Sequence, residues 1–164
     1  MSANHTSAGD GGSVERVRAA LRAAGHADSI AEFPAGTRTA ADAAAAVGCE
    51  VAQIAKSIVF RAGARAAVII TSGANRVDPA LAAAALGVGL TRADANWVRD
   101  TTGFAVGGVS PIGHLSPPLL LVDEDLLALD PLWAAAGSPS HVFRTSPAEL
   151  LRITGAPVAR VRLG

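Results

Sequence analysis

Two apolar runs, Lys56–Arg61 and Ala66–Thr71, are separated by only Ala62-Gly63-Ala64-Arg65. Both are rich in Ile and Val, and the short glycine-containing connection between them predicts a β-hairpin. Apolar positions on both faces place that hairpin in the middle of a sheet rather than at its edge. The rest of the chain must pack around it. The hairpin also carries an anomaly, because Lys56 opens its first run within "VAQIAKSIVF", and Lys56 is the only lysine among 14 basic residues. An ammonium there must either reach water or point into a cleft where an anion or a carbonyl group receives it. Arg fills every other basic position. What Arg cannot supply is a compact, point-like donor with a tunable pKa.

The flanking segments read as alternating helices and short strands. Ser13 is positioned to cap a helix over Val14–Ala24, with Val14, Val17 and Leu21 on one face and Gly25 as its stop. Ser29–Phe33 predicts a short strand ending at Pro34. Thr39 and Asp42 mark the capped start of a helix through Ala43–Val47, stopped by Gly48. Asp78-Pro79 opens a helix through Leu86 that Gly87 closes, and Asp94 caps another to about Thr102. Gly103 to Pro118, rich in Gly, Pro and Ser, is irregular. Leu119–Val122 predicts a buried strand and Val142–Arg144 a further one. Ser146-Pro-Ala-Glu149 has the form of a capping box for a helix to Ile153, stopped by Gly155. Val158–Leu163 alternates apolar residues with Arg, as an edge strand does. Strands outnumber the helices available for crossovers, which argues against a doubly wound parallel sheet and for a mixed α/β (α+β) single domain.

The chain has 164 residues, half of them hydrophobic and 17% charged, enough for one sizeable core. We expect a flexible tail over residues 1–12 and a domain over 13–164. Fourteen basic and 14 acidic residues cancel, so no uniform field drives the chain onto nucleic acid or anionic lipid, and any nucleic-acid partner must be gripped locally. No apolar run reaches the roughly 20 residues needed to span a bilayer, and residues 1–12 lack the basic start and apolar centre of a secretory signal. The expected location is cytoplasmic. Cys49, the single cysteine, can form no internal disulfide, and it reads as a small buried hydrophobe rather than a nucleophile.

A second candidate for chemistry is the stretch Gly103 to His114. Gly107, Gly108 and Pro111 predict a tight loop whose backbone N–H groups face a substrate oxygen, as an oxyanion hole or a phosphate nest. It matches neither the dinucleotide-binding pattern nor the Walker loop. Polar side chains cluster around both features: Ser72, Asn75, Arg76 and Asp78 after the hairpin, Ser110 and His114 in the loop. Asp78 reads as a helix cap. Of the four histidines, His114 is the functional candidate because it sits on the glycine loop. No nucleophile elbow accompanies these residues, so a serine triad is set aside.

The segments "TAADAAAAVGCEVAQIAKSIVF", "VIITSGANRVD", "TTGFAVGGVSPIGH", "VDEDLL" and "SPAELLRITGA", in this order and spacing, resemble the YbaK/prolyl-tRNA synthetase-associated editing domain family over roughly Ala27 to Val161. The resemblance implies a compact α/β domain with a curved, barrel-like mixed sheet flanked by helices. It also implies a free-standing aminoacyl-tRNA deacylase that acts on mischarged tRNA, most often prolyl-tRNA bearing a small wrong amino acid, without metal or organic cofactor. The family's lysine maps onto Lys56 and its Gly-x-x-x-Pro loop onto Gly107 to Pro111. On this reading Lys56, Gly107 and Gly108 are catalytic, and Phe33, Ile58, Ser72, Asn75, Val109, Ser110, Pro111 and His114 contact the substrate. The partner is the acceptor end of tRNA, with prolyl-tRNA synthetase as a possible protein partner; because the chain is neutral the grip on tRNA is local, and Arg38, Arg61, Arg76 and Arg99 are candidate phosphate contacts or else solvated surface residues. Some relatives carry an Asp in the late strand where this chain reads His141-Val-Phe-Arg144, which disfavours cysteine as the amino acid removed and leaves Ala, Ser, Thr or a small unnatural residue open. Two other readings stay open from the residues themselves: a non-catalytic module that binds aminoacyl-tRNA or a synthetase, and a nucleotide-binding protein whose glycine loop cradles phosphate.

Overall fold

The computed structural model describes residues 12–33 and 39–164. Residues 1–11 of the expected tail, and Arg38, lie outside them. The hairpin forms as expected from β2 (Ile54–Ala62) and β3 (Arg65–Ser72), which pair antiparallel along their whole length from Ala55↔Ser72 to Ala62↔Arg65. They sit at the centre of one eight-stranded sheet. Its other strands are β1 (Ala31–Glu32), β4 (Thr91–Arg92), β5 (Leu119–Asp123), β6 (Leu132–Ser138), β7 (His141–Thr145) and β8 (Val158–Ala159). The order is β1-β7-β6-β2-β3-β5-β8, with β4 added to the far end of β2. Three pairings are parallel, β2 with β6, β3 with β5 and β5 with β8, and the rest are antiparallel. The sheet is therefore mixed, and it does not close into a barrel. The predicted edge strand at Val158–Leu163 shortens to β8, with Val161 buried and Arg162 bridged to Val77.

Among the described residues five α-helices flank the sheet: α1 (Ser13–Ala23), α2 (Ala40–Val47), α3 (Pro79–Leu86), α4 (Ala95–Thr102) and α5 (Pro147–Thr154). Their starts follow from side-chain chemistry. Thr39 and Asp42 form a reciprocal capping box on α2, Asp78 accepts the Ala80 N–H ahead of Pro79, and Asp94 accepts the Trp97 N–H. Two cap expectations change. The N-cap of α1 is Gly12, and the Ser13 hydroxyl donates instead to the Gly103 carbonyl. Ser146 caps α5 by accepting the Glu149 N–H, but the Glu149 carboxylate closes on Arg152 at 2.6 and 2.8 Å, one helical turn on, rather than back on the cap. Among the described residues no helix is long and apolar enough to cross a membrane.

Strand β6 has no counterpart in the sequence reading. Leu132-Trp-Ala-Ala-Ala-Gly-Ser138 lacks branched residues, and alanine by itself favours helix. The reason for the small side chains is packing: Ala134 and Ala136 are fully buried, and a Cβ on Gly137 would stand 2.7 Å from the Ser13 carbonyl oxygen at the start of α1. The strand is thin because a helix end lies against it.

Candidate active site

Strands β2 and β6 run parallel for only two residue pairs, Ile54↔Trp133 and Ala55↔Ala134. β2 then goes on to take β4 at Phe60 and Arg61, while β6 bulges between Ala135 and Ser138 and turns into β7. The two strands part, and a cleft of about 320 Å³ opens between them. Lys56 is the first residue of β2 past the split. Ile58 on β2, Gly107 and Val109 on the glycine loop, and Ser138 and His141 across the gap line the same space, with the start of α2 and Trp133 at one end. Among the described residues that line it, Lys56 and His141 are the only ionisable side chains.

The Lys56 ammonium has no hydrogen-bond or carboxylate partner among the described residues. Burial pushes its pKa down, and the Arg76 guanidinium pushes it further the same way. A partly desolvated cation beside a second cation is an electrostatic cost the fold does not offset, and an anionic or carbonyl ligand would offset it. On the opposite wall the loop turns at Gly107, with φ of +94°. The Gly108 N–H closes that turn onto the Ala105 carbonyl at 2.9 Å, so it is spent within the loop. The N–H groups of Gly107 and Val109 have no partner among the described residues. Gly108 serves shape instead: a Cβ there would come within 2.7 Å of the Ser138 Cα, so the glycine lets the loop lie directly on β6.

Across the gap Ser138 and His141 close the β6–β7 hairpin as register partners, and the Ser138 hydroxyl lies 2.5 Å from His141 Nδ1. The other ring nitrogen, Nε2, stands 3.7 Å from the Glu32 carboxylate on β1, whose register partner is again His141. This row was missed from the sequence because β6 was. Its one visible signal is "GSPSH", a Ser-Pro-Ser turn delivering a histidine. A smaller cavity of about 180 Å³ adjoins the cleft along Ser57, Ile58, Val106, Gly107 and Val109 and runs down to Val98 on α4. The buried Ser57 hydroxyl has no hydrogen-bond partner.

The remaining predicted contacts lie elsewhere. Phe33, Ser72, Asn75, Ser110, Pro111 and His114 do not line the cleft. Ser72 and Asn75 wrap a carboxylate: Asp123 Oδ2 accepts the Thr71 hydroxyl at 2.7 Å, the Ser72 N–H at 3.1 Å and the Asn75 amide at 2.9 Å, and Oδ1 accepts the Asp125 N–H at 2.9 Å. His114 donates from Nε2 to the Ser110 carbonyl at 2.7 Å and meets Phe104 edge to face, which staples the loop on its side away from the cleft. The Ser110 hydroxyl accepts the Ile112 N–H within the same loop. Arg61 lies over the Trp97 ring at 4.7 Å. The Cys49 thiol is pushed up by burial and by Glu50, which makes it a poor thiolate source.

A split parallel pair, an ammonium without a partner among the described residues and a bare glycine turn meet in one small cleft. The aminoacyl-tRNA editing domain matches residues 34–153, and the chain belongs to that family. Among solved structures it is similar to a candidate trans-editing enzyme for prolyl-tRNA synthetase, at 46% identity and a TM-score of 0.87 over 93% of this chain and 98% of that one. A scaffold protein used for computational epitope backbone grafting is similar at 45% identity and a TM-score of 0.86, over 93% and 98% of the two chains. The uncharacterized protein YwhH of Bacillus subtilis (strain 168) is 27% identical over 139 residues, 84% of this chain and 88% of that one.

Proposed function

We propose that this chain is a free-standing deacylase that hydrolyses the ester of mischarged aminoacyl-tRNA, acting in the cytoplasm on prolyl-tRNA that carries a small wrong amino acid. The observation that carries the reading is the meeting of the unpartnered Lys56 ammonium and the Gly107 turn in one cleft of about 320 Å³, at the small end of the roughly 300–1,000 Å³ of ligand pockets. An aminoacyl ester is already activated. Its hydrolysis needs a positioned water and donors aimed at the oxygen that gains charge, more than a strong nucleophile. The Gly107 and Val109 N–H groups are the free donors of the loop, and Gly108 holds the loop against β6. Lys56 supplies positive charge to the ester, the ribose or the terminal phosphate. Ile58 and Val109 face the amino-acid side chain, and a wall of this kind separates one methylene by about 1–3 kcal/mol.

The acceptor end of tRNA is the macromolecular partner, and prolyl-tRNA synthetase is the enzyme whose errors such an activity corrects. Some relatives carry an Asp in the late strand where this chain reads His141-Val-Phe-Arg144, so Ala, Ser, Thr or another small residue rather than Cys is the expected amino acid. The test is a set of tRNAPro samples charged with Ala, Cys, Ser, Thr or Pro, followed for ester loss on addition of the protein. Hydrolysis of at least one small misacylated species, with Pro-tRNAPro spared, is the expected result. Intact esters throughout would sink the reading in favour of a binding module.

A further inference from the structure

The proposed hydrolysis leaves one task unassigned, the removal of a proton from the attacking water. We propose that His141, reached through the Ser138 hydroxyl and backed by Glu32, takes that proton; the proposal rests on the deacylase reading.

The geometry is set by register. Ser138, His141 and Glu32 are successive Cα partners across the adjacent strands β6, β7 and β1, so their side chains form one row. Glu32 Oε2 lies 3.7 Å from Nε2, too far for a hydrogen bond, but its charge favours the tautomer with the ring proton on Nε2 and Nδ1 bare. The Ser138 hydroxyl, 2.5 Å away, then donates to Nδ1. Its oxygen accepts the Ser140 N–H at 3.2 Å and faces the Ser140 hydroxyl at 3.3 Å, a contact long for two hydroxyls that a water in the cleft lined by Ser138 and His141 can replace. Among the described residues the charged groups near the imidazole are Glu32 from β1, at 3.7 Å, and Lys56 from β2, which lines the same cleft. Lys56 as an ammonium has donors but no lone pair, so among the ionisable lining residues only His141 can accept.

A histidine tied to a hydroxyl can be a mere staple, and the molecule contains such a case for comparison. His26 bonds the Thr145 hydroxyl at 2.9 Å and the Ala27 carbonyl at 2.7 Å, and its ring meets Phe143 edge to face. Both of its nitrogens are spent on the fold, and it is absent from the cleft lining. His141 differs on each point: its partners are a hydroxyl and a carboxylate, and it faces the cleft.

The proton path balances. As the water oxygen bonds to the carbonyl carbon, its proton passes to Ser138 Oγ while the Ser138 proton passes to Nδ1, and Glu32 faces the resulting imidazolium. When the tetrahedral intermediate collapses, the bond from carbon to the ribose oxygen breaks and the proton returns along the same row to that oxygen. The freed carboxylic acid loses its own proton to solvent.

The experiment measures deacylation kinetics on the misacylated tRNA that the wild-type protein turns over. His141→Ala is expected to lower kcat by about 100-fold with KM within about threefold, the size of a lost general base. Added imidazole is expected to restore about tenfold of that loss, which no structural role predicts. Ser138→Ala should cost about tenfold and show no rescue. If His141→Ala fails to fold, as judged by its thermal melt, His141→Gln decides: it keeps a polar partner for Ser138 but cannot carry the proton. Wild-type kcat in either folded variant, or a folded His141→Ala without imidazole rescue, would overturn the relay and leave the deacylase reading standing. Absence of turnover by the wild-type protein would overturn the reading beneath it.

Discussion

Lys56 and Asp123 lie on opposite sides of one residue. Thr71 is the Cα partner of Lys56 across the hairpin, and its hydroxyl donates to Asp123. Yet the two charges are treated in opposite ways. Asp123 is fully buried and accepts four hydrogen bonds, as an ion removed from water must to avoid a cost of several kcal/mol. Lys56 is partly buried with no counterion among the described residues and with Arg76 nearby. The fold satisfies one charge and leaves the other without a partner among the described residues, the kind of local inconsistency expected of the ligand-binding role proposed for Lys56.

The sharpest way to break that comparison is to remove each charge in turn. Lys56→Ala should lower deacylation by about 100-fold or more, in the range of a lost electrostatic donor, with stability within about 0.5 kcal/mol of the wild type. Asp123→Ala should do the reverse in kind: it strands the Thr71 hydroxyl, the Ser72 N–H and the Asn75 amide, and should destabilise by about 3 kcal/mol. Urea unfolding alongside single-turnover kinetics separates the two. A Lys56 variant that unfolds easily, or an Asp123 variant as stable as the parent, would merge the two classes.

Asp123 also sets a pH dependence. Burial raises its pKa, but the Asp125, Thr71, Asn75 and Ser72 donors outweigh burial and hold it below the usual carboxylate value. A carboxyl depressed in the folded state contributes stability that is fully present above its unfolded value, about 3.9, and is lost as pH falls through the folded one. Asp123→Asn should therefore flatten the acid side of the stability curve below about pH 4. Unfolding midpoints from pH 6 down to about pH 3 read this directly.

The glycine loop tests the cleft from its other wall. Gly108→Ala places a Cβ within 2.7 Å of β6 backbone, so the loop must lift from Ser138. Overpacking of this kind costs about 1–3 kcal/mol, and displaced donors should lower turnover by about tenfold. Unchanged turnover would mean that the loop's contact with β6 does not position its free N–H groups.

How much of this was legible beforehand follows the same division. The hairpin, the starts of α2, α3 and α4 and the place of Lys56 on a cleft were legible because each rests on local chemistry: a branched run, a cap residue two or three positions from the N–H it accepts, a lone lysine in an apolar stretch. The family's lysine and glycine loop lead to two sides of one cleft. What was not legible depends on β6. Its alanines are dictated by the backbone of α1 lying against it, a tertiary cause with no period in the sequence. Without β6 there is no β6–β7 hairpin, hence no Ser138–His141 pair and no reason to prefer His141 over His114. Ser72 and Asn75 were placed near the right element and given the wrong neighbour, because the carboxylate they serve arrives from 48 to 51 residues away. Spacing within a segment cannot announce a partner on another strand.

The smallest expected effect is at His114, and it returns to the opening contrast. Donation from Nε2 to Ser110 leaves Nδ1 bare, buried and without a partner. Burial lowers its pKa, the Ser110 carbonyl partly opposes this, and Arg16 adds to the lowering. His114 is therefore held neutral in the folded state, and its contribution to stability is present above the unfolded imidazole value of about 6.5 and lost as pH falls. His114→Gln keeps a donor for Ser110 without the titration. It should change deacylation by no more than about twofold and stability at neutral pH by no more than about 1 kcal/mol, while retaining stability that the parent loses between about pH 6.5 and pH 5. A large loss of turnover in that variant would mean that the loop transmits His114 to the Gly107 donors, and the line between charges kept for the fold and charges kept for the ligand would have to be redrawn through the loop itself.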